Sequence, residues 1–245
     1  MTALPESLLE SLPEALPHGD LEEVFPDVFF VTGTMLTQLM GAHWHFSRNM
    51  TVVRDGGELT LINAIRLSDE GLAQLDALGT VKHVVKIGAL HGRDDAFYKH
   101  RYGATFWALP GMQHEHGLVP DRELVPGGPL PVAGATLFAF EHSKLPEGIL
   151  HLDRDGGIVV ACDALQHWVA PDRFFDDASR ERMTGMGFFQ PANIGPVWHQ
   201  VNEPKAEDFA RLQGLGFRHA LCGHGSPLRD TAHRDFSERF QRTFA

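Results

Sequence analysis

Four stretches of this 245-residue chain put metal-ligating or acid–base side chains directly after an apolar run. His91-Gly92-Arg93-Asp94-Asp95 follows Val84-Val85-Lys86-Ile87, and Glu141-His142 follows Leu137-Phe138-Ala139-Phe140. Cys162-Asp163 follows Ile158-Val159-Val160-Ala161, and Gly223-His224-Gly225 follows His219-Ala220-Leu221-Cys222. Imidazole and carboxylate together suit zinc, iron or manganese. Loops at strand ends are where such side chains converge. An ion held there lowers the pKa of its water enough to make a hydrolytic nucleophile at neutral pH. Each stretch alone has an ordinary structural explanation. His91 and Asp95 can pair at a helix start, where the dipole favours a carboxylate. Asp163 can begin a turn, and glycines around His224 can mark a tight one. The argument for a site is the succession, one candidate after each strand.

The elements that must carry these residues follow from periodicity and turn chemistry. Residues 5–16 alternate Pro, Leu and Glu as a short amphipathic lead-in to a single domain spanning 1–245. The pattern predicts a first strand from Val24 to Thr32, then a polar, His-rich loop over Gly41–Asn49. Met50–Arg54 and Glu58–Asn63 flank Asp55-Gly56-Gly57, a strong hairpin signal. Ser68 is a good N-cap for a helix over Ser68–Ala77, and Val81–Ile87 is an apolar strand broken by His83 and Lys86. Helices are predicted over Asp94–Tyr102, Ala170–Met186, Pro204–Leu215 and Arg234–Phe244. Further strands are predicted at Thr105–Leu109, Thr136–Glu141, Gly148–Leu152, Ile158–Cys162 and Phe217–Cys222. A second Asp-Gly-Gly hairpin loop, at 155–157, lies 100 residues after the first. That correspondence points to a pseudo-duplicated αββα sandwich of α/β (α+β) class, two mixed β-sheets with helices on the outer faces.

Composition narrows the function. Lys and Arg total 21 against 32 Asp and Glu, a formal charge of −11. Such a chain repels phosphate backbones, so the expected partner is a small-molecule substrate or ligand and not nucleic acid. Two cysteines build no disulfide framework, and no 18-residue apolar run or basic leader is present. The expectation is a cytoplasmic protein without a membrane partner. There is no nucleophile elbow, P-loop or dinucleotide fingerprint.

In its order of candidate ligands the chain resembles the metallo-β-lactamase superfamily over roughly residues 24–230. That family carries a His-x-His-x-Asp-His motif after a strand, then a single His, an Asp and a last His, each at a strand end. His91 and Asp95 match the motif, whereas Arg93 and Ala96 stand where its second and third histidines would be. His142, Asp163 and His224 match the later ligands. Asn49-Met50-Thr51-Val52-Val53-Arg54 resembles the first strand of an uncharacterised, ligand-poor branch. The resemblance implies a four-layer αββα sandwich and a hydrolase-like protein of unknown small substrate. One divalent metal ion (zinc, iron or manganese) would be held by some of His91, Asp95, His142, Asp163 and His224, with Asp95 a ligand or the general base. The alternative is a metal-free binding protein in which the Arg93 guanidinium pairs with Asp95 or Asp163 and fills the site as an internal cation. A third arrangement recruits replacement ligands from His43, His45, His114 or His116. Phe188-Phe189 and Trp198, between predicted helices, can wall the pocket or form a packing surface.

Overall fold

The computed structural model describes residues 12–245. Most of the predicted lead-in at 5–16 lies outside the described residues. Seven strands form one sheet in chain order: β1 (Glu22–Phe25), β2 (Val28–Leu39), β3 (Ala42–Asp55), β4 (Glu58–Ile62), β5 (Thr80–Lys86), β6 (Thr105–Ala108) and β7 (Arg122–Glu123). β1 to β4 are antiparallel neighbours, and β4 to β7 run parallel. Helices α1 (Asp69–Leu78) and α2 (Asp95–Tyr102) make the crossovers either side of β5. α1 starts as predicted, with the Ser68 hydroxyl accepting from the Gly71 N–H at 3.3 Å.

The second sheet holds β8 (Ala135–Ala139), β9 (Gly148–Leu152), β10 (Ile158–Val160) and β13 (His219–Leu221), in the order β13-β10-β9-β8. It too is mixed, antiparallel except where β10 meets β13. A small antiparallel pair, β11 (Leu165–Trp168) and β12 (Gln190–Ile194), lies beside it. Helices α3 (Asp177–Gly185), α4 (Pro196–Asn202), α5 (Ala206–Gln213) and α6 (Ala232–Phe244) complete the chain.

Side-chain alternation builds the layers. Ile158 and Val160 of β10, with Leu150 and Leu152 of β9, join the core that includes Met50 and Val52 of the first sheet. Their neighbours Val159 and Ile149 point the other way, into a second core with Phe209 of α5 and Phe236 and Phe240 of α6. Leu72 and Leu75 of α1 and Phe97 of α2 cover the far face of the first sheet. This is a four-layer αββα sandwich. A strand covered on both faces is buried at successive positions, and Ser47 to Val53 of β3 are buried without a break, with Ser47, Arg48 and Asn49 each hydrogen-bonded to a partner outside the sheet.

Three predicted elements differ from the observed ones. The strand over Val24–Thr32 is two strands, because Pro26-Asp27, with Asp27 at φ 59°, reverses the chain. The polar stretch over 41–49 is not a loop. It is the first part of β3, paired with β2 from Leu39↔Ala42 onward. Helix over Ala170–Met186 shrinks to Asp177–Gly185, whose N-cap Asp176 accepts from the Ser179 N–H at 2.7 Å. The connection after it contains β12 and α4. Among the described residues no helix is long and apolar enough to cross a membrane.

Candidate metal centre

His91 follows β5, Asp163 follows β10 and His224 follows β13, so three strand ends meet at one edge of the sandwich. His91 Nε2 lies 3.2 Å from His224 Nε2. The Asp163 carboxylate faces both, with Oδ1 3.2 Å from His224 Nε2 and Oδ2 3.5 Å from His91 Nε2. His224 Nδ1 is 3.0 Å from the Ser47 carbonyl oxygen, which can only accept. That nitrogen therefore carries a proton, and Nε2 is the ring atom turned toward the other two side chains. The ring is fixed further by stacking on Trp168, 5.0 Å between centroids and 21° between planes.

Electrostatics suit ligands. Burial pushes the His91 pKa down to about 3, leaving a neutral imidazole at pH values where proteins work. Burial would raise the Asp163 pKa, but His91 and His224 outweigh it and hold the carboxyl below its usual range. Behind Asp163, Glu147 Oε1 accepts from the N–H groups of Asp163 and Ala164 at 2.9 and 3.0 Å and anchors the turn. Burial, reinforced by the Asp163 charge, pushes the Glu147 pKa well up. A cavity of about 320 Å³ opens over the three side chains, walled by Met35, Trp44, Phe46, Trp168 and Phe188.

The other sequence candidates lie elsewhere. Asp95, the first residue of α2, is buried, and neither carboxylate oxygen has a hydrogen-bond partner among the described residues. Burial raises its pKa to about 7 against the pull of Lys86. His142 Nδ1 sits 3.4 Å from Asp208 Oδ2, and the same oxygen accepts the His142 N–H at 2.9 Å. Asp208 of α5 thus holds His142 outside the group formed by His91, Asp163 and His224. Ala96 is core.

Arg93 does not fill the site. Its Nη1 donates to Asp94 Oδ1 at 2.6 Å and its Nη2 to the Glu14 carbonyl at 2.9 Å, not to Asp95 or Asp163. The buried ammonium near Asp95 belongs to Lys86, which donates to the Gln113 carbonyl at 2.7 Å. Strand alternation explains His43 and His45. Trp44, Phe46 and Arg48 line the cavity, so the residues between them face away. His43 meets Gln38, and the His45 backbone N–H donates to Ser179 Oγ. His114 packs edge-on to Phe106 and His116 lies beside Glu115, and neither joins the three.

No family model matches the sequence, and no curated protein does. Solved structures match along nearly the whole chain. The metallo-β-lactamase FIM-1 from Pseudomonas aeruginosa, in its mono-zinc form, superposes with a TM-score of 0.60 at 14% identity, covering 94% of this chain and 98% of its own. A metallo-β-lactamase from Hirschia baltica gives 0.57 at 14% identity, covering 93% and 98%. One from Erythrobacter litoralis gives 0.53 at 15%, covering 94% and 96%.

The fold is that of the metallo-β-lactamases.

On this metallo-β-lactamase fold, the donor set present is two imidazole nitrogens and a carboxylate. All three ligand atoms lie within 4.8 Å of one another, a spacing that one divalent ion spans. The Ser47 carbonyl supplies the outer bond that a ligating histidine normally has. The residues therefore fit a metal. Sequence reasoning missed Ser47, Glu147 and Arg48, whose roles depend on neighbours far along the chain. Lys86 did leave a signal: a charge inside an otherwise apolar strand needs a buried partner.

Proposed function

We propose that this protein is a hydrolase-like enzyme whose centre is one divalent ion held by His91 Nε2, His224 Nε2 and the Asp163 carboxylate. The observation that carries the reading is the convergence of these atoms, with the His224 tautomer set by Ser47. Imidazole with carboxylate suits zinc, iron or manganese. When bound, such an ion supplies Lewis acidity toward a substrate oxygen and lowers the pKa of a coordinated water. The chain does the rest. Ser47 orients His224, Glu147 holds the Asp163 turn, and the aromatic wall keeps bulk water from a small substrate. Asp95 and His142 donate no ligand atom in this reading. The metal-free alternative loses its main support, because Arg93 is engaged by Asp94 and Glu14.

Metal analysis of tag-free protein tests this. The expected content is about one equivalent, with a fall in melting temperature on chelation. His91→Ala and His224→Ala should each lose the ion. A content below about a few tenths of an equivalent, with melting indifferent to chelator, overturns the reading.

A further inference from the structure

Asp163 belongs to two groups of possible ligands. Besides His91 and His224, it lies with Glu147 and Cys162, and one ligand atom from each of these three falls within 4.8 Å of the others. All three side chains are buried. Gly88 makes the space for them, since an added Cβ there would run into Cys162 Sγ and fall 2.8 Å from Glu147 Oε2. Two carboxyls and a thiol packed together are a donor set for a cation. The cation set against them is Lys86. It is 2% exposed, and of its three donors one goes to the Gln113 carbonyl at 2.7 Å. An added Cβ at Gly92 would fall 2.8 Å from Lys86 Nζ and 3.2 Å from Asp95 Oδ2, so the ammonium and that carboxyl press on one point of the turn. Asp95 is itself buried, and neither of its oxygens has a hydrogen-bond partner among the described residues. Burial lowers the Lys86 pKa, while Asp95, Cys162 and Glu115 favour its charged form. Arg48, another buried cation beside the centre, is taken by Asp94.

We propose that the Lys86 ammonium is the resident cation of the group formed by Glu147, Cys162 and Asp163, and that it bars a second metal ion from joining the one at His91, Asp163 and His224. The proposal rests on the reading of those last three as a metal centre, through the shared Asp163. A divalent ion entering beside Lys86 would meet a fixed positive charge in an interior that screens it poorly. Without that charge the thiol and the carboxyls are free to take an ion, as thiolate and carboxylate together take zinc or cobalt.

Cobalt(II) alone is the probe, because a thiolate bound to it gives a charge-transfer band that imidazole and carboxylate do not. Chelator-treated protein is titrated with the ion, and bound metal is counted by equilibrium dialysis. Wild type should hold about one equivalent with no thiolate band. Lys86→Met, similar in length and without charge, should hold about one equivalent more and gain the band. Adding Cys162→Ser to Lys86→Met should remove both gains. If Lys86→Met does not fold, Lys86→Gln, whose amide can keep a bond to the Gln113 carbonyl, carries the same expectation. A second equivalent or a thiolate band in wild type overturns the proposal without any variant. So does an unchanged count in the folded Lys86 variant, or a further equivalent that survives Cys162→Ser. The two readings fail separately. Wild type that takes up no metal sinks the centre at His91, Asp163 and His224, and a band gained by the Lys86 variant still supports the role of Lys86. A single equivalent in wild type and variant alike sinks the role of Lys86 and leaves that centre standing.

Discussion

Asp95 shows what burial does to a single carboxyl outside the three-residue centre. It faces Lys86, Asp94, Arg48 and Glu115, and burial dominates, raising its pKa to about 7. In an unfolded chain the group titrates near about 3.9. The protonated form is therefore the one the fold tolerates. Its stabilising contribution is complete below the unfolded pKa and is lost as pH rises through about 7. Asp95→Asn removes that loss. In chelator-treated protein, the variant should match wild type near about pH 4 and exceed it near about pH 8, by up to a few kcal/mol in urea unfolding. Parallel stability curves for the two proteins would refute this account of Asp95. The residue scale also shows why only part of the site is readable in sequence. Residue type and position after a strand pick out His91, Asp163 and His224. They do not say that Asp208, on a later helix, captures His142.

The β2–β3 hairpin sets which side chains reach the cavity. Met35, Thr37 and Leu39 of β2 and Trp44, Phe46 and Arg48 of β3 line it, alternate residues on paired strands. Period-two geometry then excludes His43 and His45. A His43→Ala, His45→Ala double variant should keep the metal content of wild type, and a clear loss would mean that the hairpin face is assigned the wrong way round. At the start of α1, Ser68→Ala removes the side-chain acceptor for the Gly71 N–H. A loss of about 1 kcal/mol in chemical denaturation is expected, and an unchanged midpoint would show that the cap is replaced. The same elements mark how far pattern reading goes. The Asp-Gly-Gly loops were plain because Gly56, Gly57, Gly156 and Gly157 all take positive φ, which turn chemistry demands. The strand over 42–49 was hidden, because its tip is polar on the face turned from the cavity and reads as loop. The helical pattern over 170–186 runs past the true helix start, because the capping role of Asp176 cannot be told from that of other acids in Asp172–Asp177 until Ser179 is seen to bond it.

Across the whole molecule, the two sheets must hold a fixed register, because His91 comes from the first and Asp163 and His224 from the second. Two asparagines of the first sheet and the turn after it enforce this. Asn49 Nδ2 donates to the carbonyls of Cys222 and Gly225 at 2.9 and 2.7 Å, and the Asn49 N–H donates to the Gly223 carbonyl at 2.8 Å. Asn63 Nδ2 donates to the Ala161 carbonyl at 3.2 Å. The first set brackets His224. Gly225 itself has φ +87°, and an added Cβ would fall 2.0 Å from the His167 carbonyl oxygen, so the turn has no room to re-form around a misplaced ring. Asn49→Ala strands the buried Cys222 carbonyl and the part-buried Gly225 carbonyl, a loss of about 1–3 kcal/mol for the buried one and less for the other. Phe236→Ala, in the core between the second sheet and α6, costs about 3–5 kcal/mol through its cavity. Both variants should melt at lowered temperatures. They should part in metal competition titrations run where both are folded. Asn49→Ala should bind metal about tenfold or more weakly, as loss of an outer-shell contact does, and Phe236→Ala should bind as wild type. Equal metal affinity in the two variants would mean that Asn49 holds the sheets together without positioning His224.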